Sequence, residues 1–210
     1  MNVRQKITKL TCILVVLACS LAGLPAQAQV NYQWMDVGSL HNFYSNIGTE
    51  IEQGFIDEQQ AGLRWPAIYR SQDAQAAKGL WIGARNVTDE NGNNYPVRVA
   101  HLGPRVSGDG VFYPVEQRIF SKYDDPEVVV DGLSSLLHVV DIDEVDPSLP
   151  ADRMFYSRSN TLLGVTVERN IMQFSQGYHD NYHIIEFVFT NTGNVDGDDE
   201  IELPNQTLED

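Results

Sequence analysis

The sequence predicts a mainly β protein, an antiparallel β-sandwich with one or two short helices near its N-terminus. Three observations carry this reading. β-branched and aromatic runs recur between clusters of Gly, Asn, Asp and Pro, the alternation of short strands and tight turns found in all-β domains. Two of these runs, 162–175 and 182–191, are long and separated only by the polar loop Gly177-Tyr178-His179-Asp180-Asn181, so antiparallel pairing is expected. After the first 28 residues there is no repeat, low-complexity tract or Gly/Ser linker.

The chain opens on a segment unlike the rest. Arg4, Lys6 and Lys9 precede an apolar run from Leu10 to Leu24 and an Ala26-Gln27-Ala28 cleavage pattern, the layout of a secretory signal peptide over 1–28. The run is shorter than the roughly 20 apolar residues a membrane span needs, so no membrane span is expected once the signal is removed. A lipoprotein reading through Cys19 fits less well, because Val16-Leu17-Ala18 matches its motif only in part. Cys12 and Cys19, the only cysteines, fall in this leader. The mature chain therefore has no disulfide and no thiol chemistry.

Elements follow in order. Gly38–Gln53 mixes apolar and polar residues without clean alternation, and Ser71–Lys78 reads as a two-turn helix, with Ser71 as N-cap, Asp73 in the first turn and Gly79 as its stop. Leu80–Val87 and Tyr95–Leu102 alternate as strands around an Asp89–Asn94 turn, which makes a hairpin. Phe112–Ser121 and Val128–Val130 are further strands. Asp141–Asp152 is acidic and contains proline, the pattern of a loop and a subdomain boundary. The expected organisation is thus a β-rich region with a short helix over 29–140, an acidic boundary over 141–152, and sandwich strands over 153–210.

Composition narrows function by exclusion. The 210 residues carry 14 basic against 29 acidic side chains, a net charge of −15. The leader takes three of the basic residues and none of the acidic ones. Nucleic acid and anionic membranes need basic patches, so neither is an expected partner.

Trp65-Pro66-Ala67, then Gly79-Leu80-Trp81-Ile82-Gly83-Ala84, and later Phe187-Val188-Phe189-Thr190-Asn191-Thr192-Gly193 resemble the N-terminal region of large secreted bacterial proteins of the kind that often end in a type IX secretion sorting domain. The Asn-Thr-Gly after a strand is similar to that of bacterial Ig-like modules. The resemblance implies an extracellular or cell-surface location and Ig-like character in the C-terminal half. It implies no catalytic residues. In that family a further strand and a much longer chain follow the motif, which implies that 153–210 is a truncated domain.

Four constellations are weighed for chemistry. Asp141, Asp143, Glu144 and Asp146 crowd hard oxygen donors into six residues, and Asn194, Asp196, Asp198, Asp199 and Glu200 do so again beside Gly197. Ca²⁺ takes six to eight such oxygens, though neither run has the order of an EF-hand, and a solvated acidic loop explains both. His179 and His183, four residues apart, have metal-ligand spacing without a third ligand; exposed loop histidines are the plainer reading. Glu168 and Glu186 face each other if the hairpin loop centres near Gly177, an arrangement that would suit a glycosidase. Trp34, Trp65, Tyr69, Trp81 and Tyr113 suit a hydrophobic core; Trp65, Tyr69 and Trp81 are also the candidates for a platform that stacks sugar rings.

The expectation is a secreted, non-catalytic structural or adhesive β module of a larger polypeptide, with Ca²⁺ as its one candidate ion and cell-surface components as partners. The competing expectation is a carbohydrate-binding or glycoside-hydrolysing protein acting on glycans.

Overall fold

The computed structural model describes residues 29–51, 62–69, 74–75, 77–103, 110–124, 128–135 and 141–206. The expected signal peptide lies outside these residues. Half of the expected helix over Ser71–Lys78 lies outside them as well, and its last two residues form a strand instead.

The architecture is mainly β. Strands β1 (Tyr32–Met35), β2 (Asn42–Ser45), β3 (Glu50–Ile51), β4 (Ala77–Lys78), β5 (Trp81–Thr88), β6 (Asn94–His101), β7 (Phe112–Ser121), β8 (Val128–Val130), β9 (Leu133–Ser135), β10 (Glu144–Val145), β11 (Arg153–Thr161), β12 (Val165–Gln173) and β13 (Ile184–Asn191) follow in chain order. Five of them build the main sheet in the order β10-β7-β11-β12-β13, and the others pair as two-stranded ribbons β1-β2, β3-β4, β5-β6 and β8-β9. Among the described residues no helix is long and apolar enough to cross a membrane.

The predicted hairpin over 80–102 is present as β5 and β6, and Asp89 explains its turn. The Asp89 carboxylate accepts the Asn91 and Asn93 amides at 3.0 and 2.8 Å, the Asn93 side chain at 3.0 Å and the Tyr95 hydroxyl at 3.1 Å. One side chain thus satisfies the turn that the flanking strands leave open. The pairing of β12 with β13 is also present and antiparallel.

One expectation is corrected. The acidic stretch 141–152 is not a break between subdomains. Its residues Glu144–Val145 run parallel to Phe120–Ser121 at the edge of the main sheet, and β7 from the N-terminal side pairs along its length with β11 from the C-terminal side, so both halves share one sheet. The segment 38–53, which shows no alternation, contains β2, the partner of β1, and β3.

Alternation along each strand gives the sheet two unlike faces. On the inner face Ile119, Phe155 and Ile171 pack with Met35 and Tyr44 of the β1-β2 hairpin. Phe112, Val165 and Val167 pack with Val87, Ala100 and Leu102 of the β5-β6 region. The two hairpins are therefore the second layer, and each fully buried side chain of this size contributes about 1.5–3 kcal/mol. On the outer face the register aligns Arg118 with Tyr156, Asn170 and Glu186, and Glu116 with Arg158, Glu168 and Val188, a polar lattice open to solvent. The register of β7 against β11 shifts between Arg158 and Ser159, which leaves Val115 without a partner; Pro114 lies beyond the two residues that β10 pairs with, where β7 has a neighbour on one side only.

Candidate functional site

The second acidic run closes on itself. After β13 the chain makes successive Asx turns: Asn194 Oδ1 accepts the Asp196 amide at 3.1 Å, Asp196 Oδ1 that of Asp198 at 2.9 Å, and Asp198 Oδ1 that of Glu200 at 2.8 Å. Glu202 Oε2 then reaches back to the Val195 amide at 2.9 Å. This winding brings one carboxylate oxygen each from Asp196, Asp198 and Glu202 within 4.8 Å of one another. Asp196 and Glu202 are partly buried, and Asp198 is exposed.

The loop is tied to the sheet at several points. Leu203 donates to Gly193 O at 2.9 Å, Asn160 Nδ2 to Asp196 O at 2.9 Å, and Gln206 Nε2 to Leu163 O at 2.6 Å. Gly193 has φ +76°, and a Cβ there would overlap the Leu203 carbonyl, so the Asn191-Thr192-Gly193 motif is set by backbone geometry. Three carboxylates held together repel one another, and none of them is in an ion pair among the described residues. Hard, anionic oxygens at this spacing suit Ca²⁺, whose remaining ligands would be carbonyls and water. Glu202 is the member that sequence reasoning missed; its signal is the continuing i, i+2 spacing from Asp196 and Asp198.

The first acidic run is spent otherwise. Asp143 Oδ2 accepts the Ile119 amide at 2.6 Å, Glu144 pairs with Arg118 at 2.5 Å, and Asp146 Oδ1 accepts the Ser148 amide and hydroxyl at 2.8 and 2.6 Å. The first two contacts fasten β10 to β7, and the Asp146 bonds close the turn that follows. Among the described residues, Asp141, Asp143, Glu144 and Asp146 do not gather three ligand atoms at one point.

A groove of about 430 Å³ runs from the carboxylate loop onto the outer sheet face, with Arg158, Asn160, Thr166, Glu168, Thr190 and Asp198 in its lining. Most of its lining residues carry hydroxyl, amide or charged groups. Burial, followed by the 2.9 Å hydrogen bond to Glu168, pushes the neighbouring Tyr156 hydroxyl up to about 12.

The facing pair of carboxylates is corrected. Glu168 stands opposite Val188, and Glu186 opposite Asn170, because the register lies two residues from the one a loop centred near Gly177 implies. Each has its own partner: Tyr156 for Glu168, and Asn170 Nδ2 at 3.0 Å for Glu186. The histidine pair is corrected too. His183 is partly buried, bonded to Tyr44 at 2.6 Å and to Leu40 O at 2.9 Å, whereas the exposed His179 meets the Tyr182 hydroxyl in the loop.

The aromatics depart from a core placement. Trp65, Tyr69 and Trp81 are 52 %, 62 % and 70 % exposed, which supplies surface for stacking. They are not one platform by ring contact: Trp81 packs edge-on with His101 and donates Nε1–H to Leu102 O at 2.8 Å, while Trp65 and Tyr69 lie on the 62–69 loop. Trp34 is half-buried under the Arg64 guanidinium, 4.5 Å from its ring, and Tyr113 is half-buried.

Sequence reasoning did not anticipate the polar centre of the core. Arg169 is fully buried on the inner face, its guanidinium 5.8 and 5.7 Å from the Tyr44 and Phe155 rings, and it donates to Ser45 O. Burial lowers it to about 10, against the raising influence of Glu50 and Tyr44. Glu50, also buried, takes Lys78 at 3.0 Å and Asn42 at 3.0 Å. Compared with known proteins, the chain matches no family model, no curated protein and no solved structure.

Proposed function

We propose that the protein is a secreted, non-catalytic structural or adhesive β module of a larger cell-surface or extracellular protein, with Ig-like character in its C-terminal half, and that Ca²⁺ stiffens it at Asp196, Asp198 and Glu202. The observation that supports this reading is the convergence of those three carboxylates within 4.8 Å on the loop that closes the sheet. A cation there offsets their mutual repulsion and couples the loop to the folded state. A ligand that binds only the folded chain must raise its stability, by about 2.7 kcal/mol at a hundred times its Kd.

Thermal melts of the purified protein in CaCl₂ and in chelator test this. The expected result is a calcium-dependent rise of several degrees that Asp198→Asn abolishes and Asp146→Asn leaves intact. Equal melting temperatures in both buffers would count against a calcium-stiffened module.

A second reading, glycan binding, is favoured by the exposure of Trp65, Tyr69 and Trp81 and by the hydroxyl- and amide-lined groove beside Asp198. Glycan-array binding lost in Trp81→Ala or Thr190→Ala would support it. Undiminished binding in both would sink it.

A further inference from the structure

The two edges of the main sheet are unlike. One edge is formed by β10, two residues long and paired only with Phe120 and Ser121 of β7, and by the rest of β7, which carries Pro114 and the bulge at Val115, the usual means of blunting an edge. The other is β13, eight residues long, with no Lys, Pro or Gly and a single charge, Glu186. Among the described residues nothing pairs with its outer side. Seven of its eight residues are exposed, and four of the exposed ones are the large apolar side chains Ile184, Phe187, Val188 and Phe189.

The ladder says which groups point outward. Thr192 donates to Gly164 O at 3.0 Å, and the β12-β13 register continues from there without a shift. Even-numbered residues of β13 are therefore the ones bonded to β12. The N–H and C=O groups of Ile185, Phe187, Phe189 and Asn191 face away from the sheet.

We infer that a second copy of this chain pairs with β13, antiparallel and about a twofold axis at Val188. Two copies present the same edge, as an isologous interface requires, and the outward-facing set fixes the register to odd opposite odd. With the axis at Val188, Phe187 of each copy stands opposite the partner subunit's Phe189, which extends the stack already formed by Phe187 and Phe189, 6.1 Å apart and 10° from parallel. Glu186 then faces the partner subunit's Thr190, so no like charges meet. The nearly neutral edge is also where two chains of charge −15 can approach at least electrostatic cost.

Eight residues span about 27 Å, and an edge of that length covers roughly a few hundred Å² per partner, below the roughly 800 Å² of a standard interface. The dimer is therefore weak, with a Kd between micromolar and millimolar. Because the remainder of each surface is acidic, association strengthens as salt shortens the Debye length from about 10 Å at 0.1 M to about 3 Å at 1 M. A basic partner would show the opposite trend.

Sedimentation equilibrium of the purified protein at both salt concentrations, over a concentration series reaching the millimolar range, tests the inference. The expected result is a reversible monomer–dimer equilibrium, tighter at high salt. Phe187→Pro removes an outward N–H without taking a bond from β12 and is expected to raise Kd at least tenfold. Phe189→Lys, which places a charge on the edge without altering the backbone, is expected to do the same; circular dichroism and melting establish that each variant is folded. A monomer at all concentrations, a dimer unaffected by both variants, or open-ended aggregates in place of a closed dimer would each overturn it.

Discussion

Tyr44 Oη and His183 Nδ1 lie 2.6 Å apart across 139 residues of sequence, and this one bond joins the N-terminal hairpin to the approach of β13. The other ring nitrogen of His183 meets Leu40 O at 2.9 Å and the Gln173 amide at 2.8 Å. Burial pushes this histidine down to about 4. Glu50 and the Leu40 carbonyl favour the charged ring and His41 and Lys78 oppose it, but burial outweighs them.

A loss of stability in mild acid follows. The unfolded chain binds the His183 proton near pH 6.5 and the folded chain near pH 4, so between these values the unfolded state holds more protons. Stability is then full above pH 6.5 and falls as pH drops toward 4, by about 3 kcal/mol at about 1.4 kcal/mol per pH unit. His41, also lowered chiefly by burial, adds to the same trend. Urea unfolding across this range is expected to show a steep slope that flattens in His183→Gln; a slope unchanged in that variant would refute the assignment to His183.

Local signals made the hairpins legible. Asp89 and Gly92 between alternating runs announce β5 and β6, and the length of 162–191 announces β12 and β13. The central strand β11 was not foreseen, because its inner face carries Ser157 and Ser159 beside Phe155, so no apolar alternation marks it, and only burial beneath the hairpins makes that face a core. The carboxylate loop was legible as composition, while the convergence of Asp196 and Asp198 with Glu202 depends on turns that a sequence does not display. Register lay beyond reach: a difference of two residues separates Glu168 facing Glu186 from Glu168 facing Val188.

Arg169 carries the second stability prediction. Its guanidinium fills the space between Tyr44 and Phe155 and serves Ser45 O, while Glu50 keeps Lys78, Asn42 and Gln75 as partners. Truncation in Arg169→Ala leaves a void and a carbonyl without its donor, and is expected to cost about 3–5 kcal/mol. Arg169→Met restores volume without charge and is expected to recover a large part of that. Denaturant midpoints of both variants decide the matter, and an Arg169→Ala protein within about 1 kcal/mol of the parent would show that the guanidinium is not structurally required.

The third prediction separates two costs that glycine replacement combines. Gly193 lies at φ +76° and its missing Cβ makes room for the Leu203 carbonyl, whereas Gly92 lies at φ +78° with nothing within 4 Å, and Gly177 has neither a positive φ nor a close neighbour. Alanine at Gly177 is expected to be neutral or slightly stabilising, and at Gly92 to cost about 1 kcal/mol from backbone strain alone. At Gly193 the collision adds to the strain, and the 2.9 Å bond from Leu203 to Gly193 O is displaced with it. Because that bond holds the return of the loop carrying Asp196, Asp198 and Glu202, Gly193→Ala is expected to lose both stability and the calcium-dependent rise in melting temperature. Melts of the three variants with and without CaCl₂ measure both effects; a Gly193→Ala protein that loses stability yet keeps the full calcium response would uncouple the glycine from the carboxylate loop.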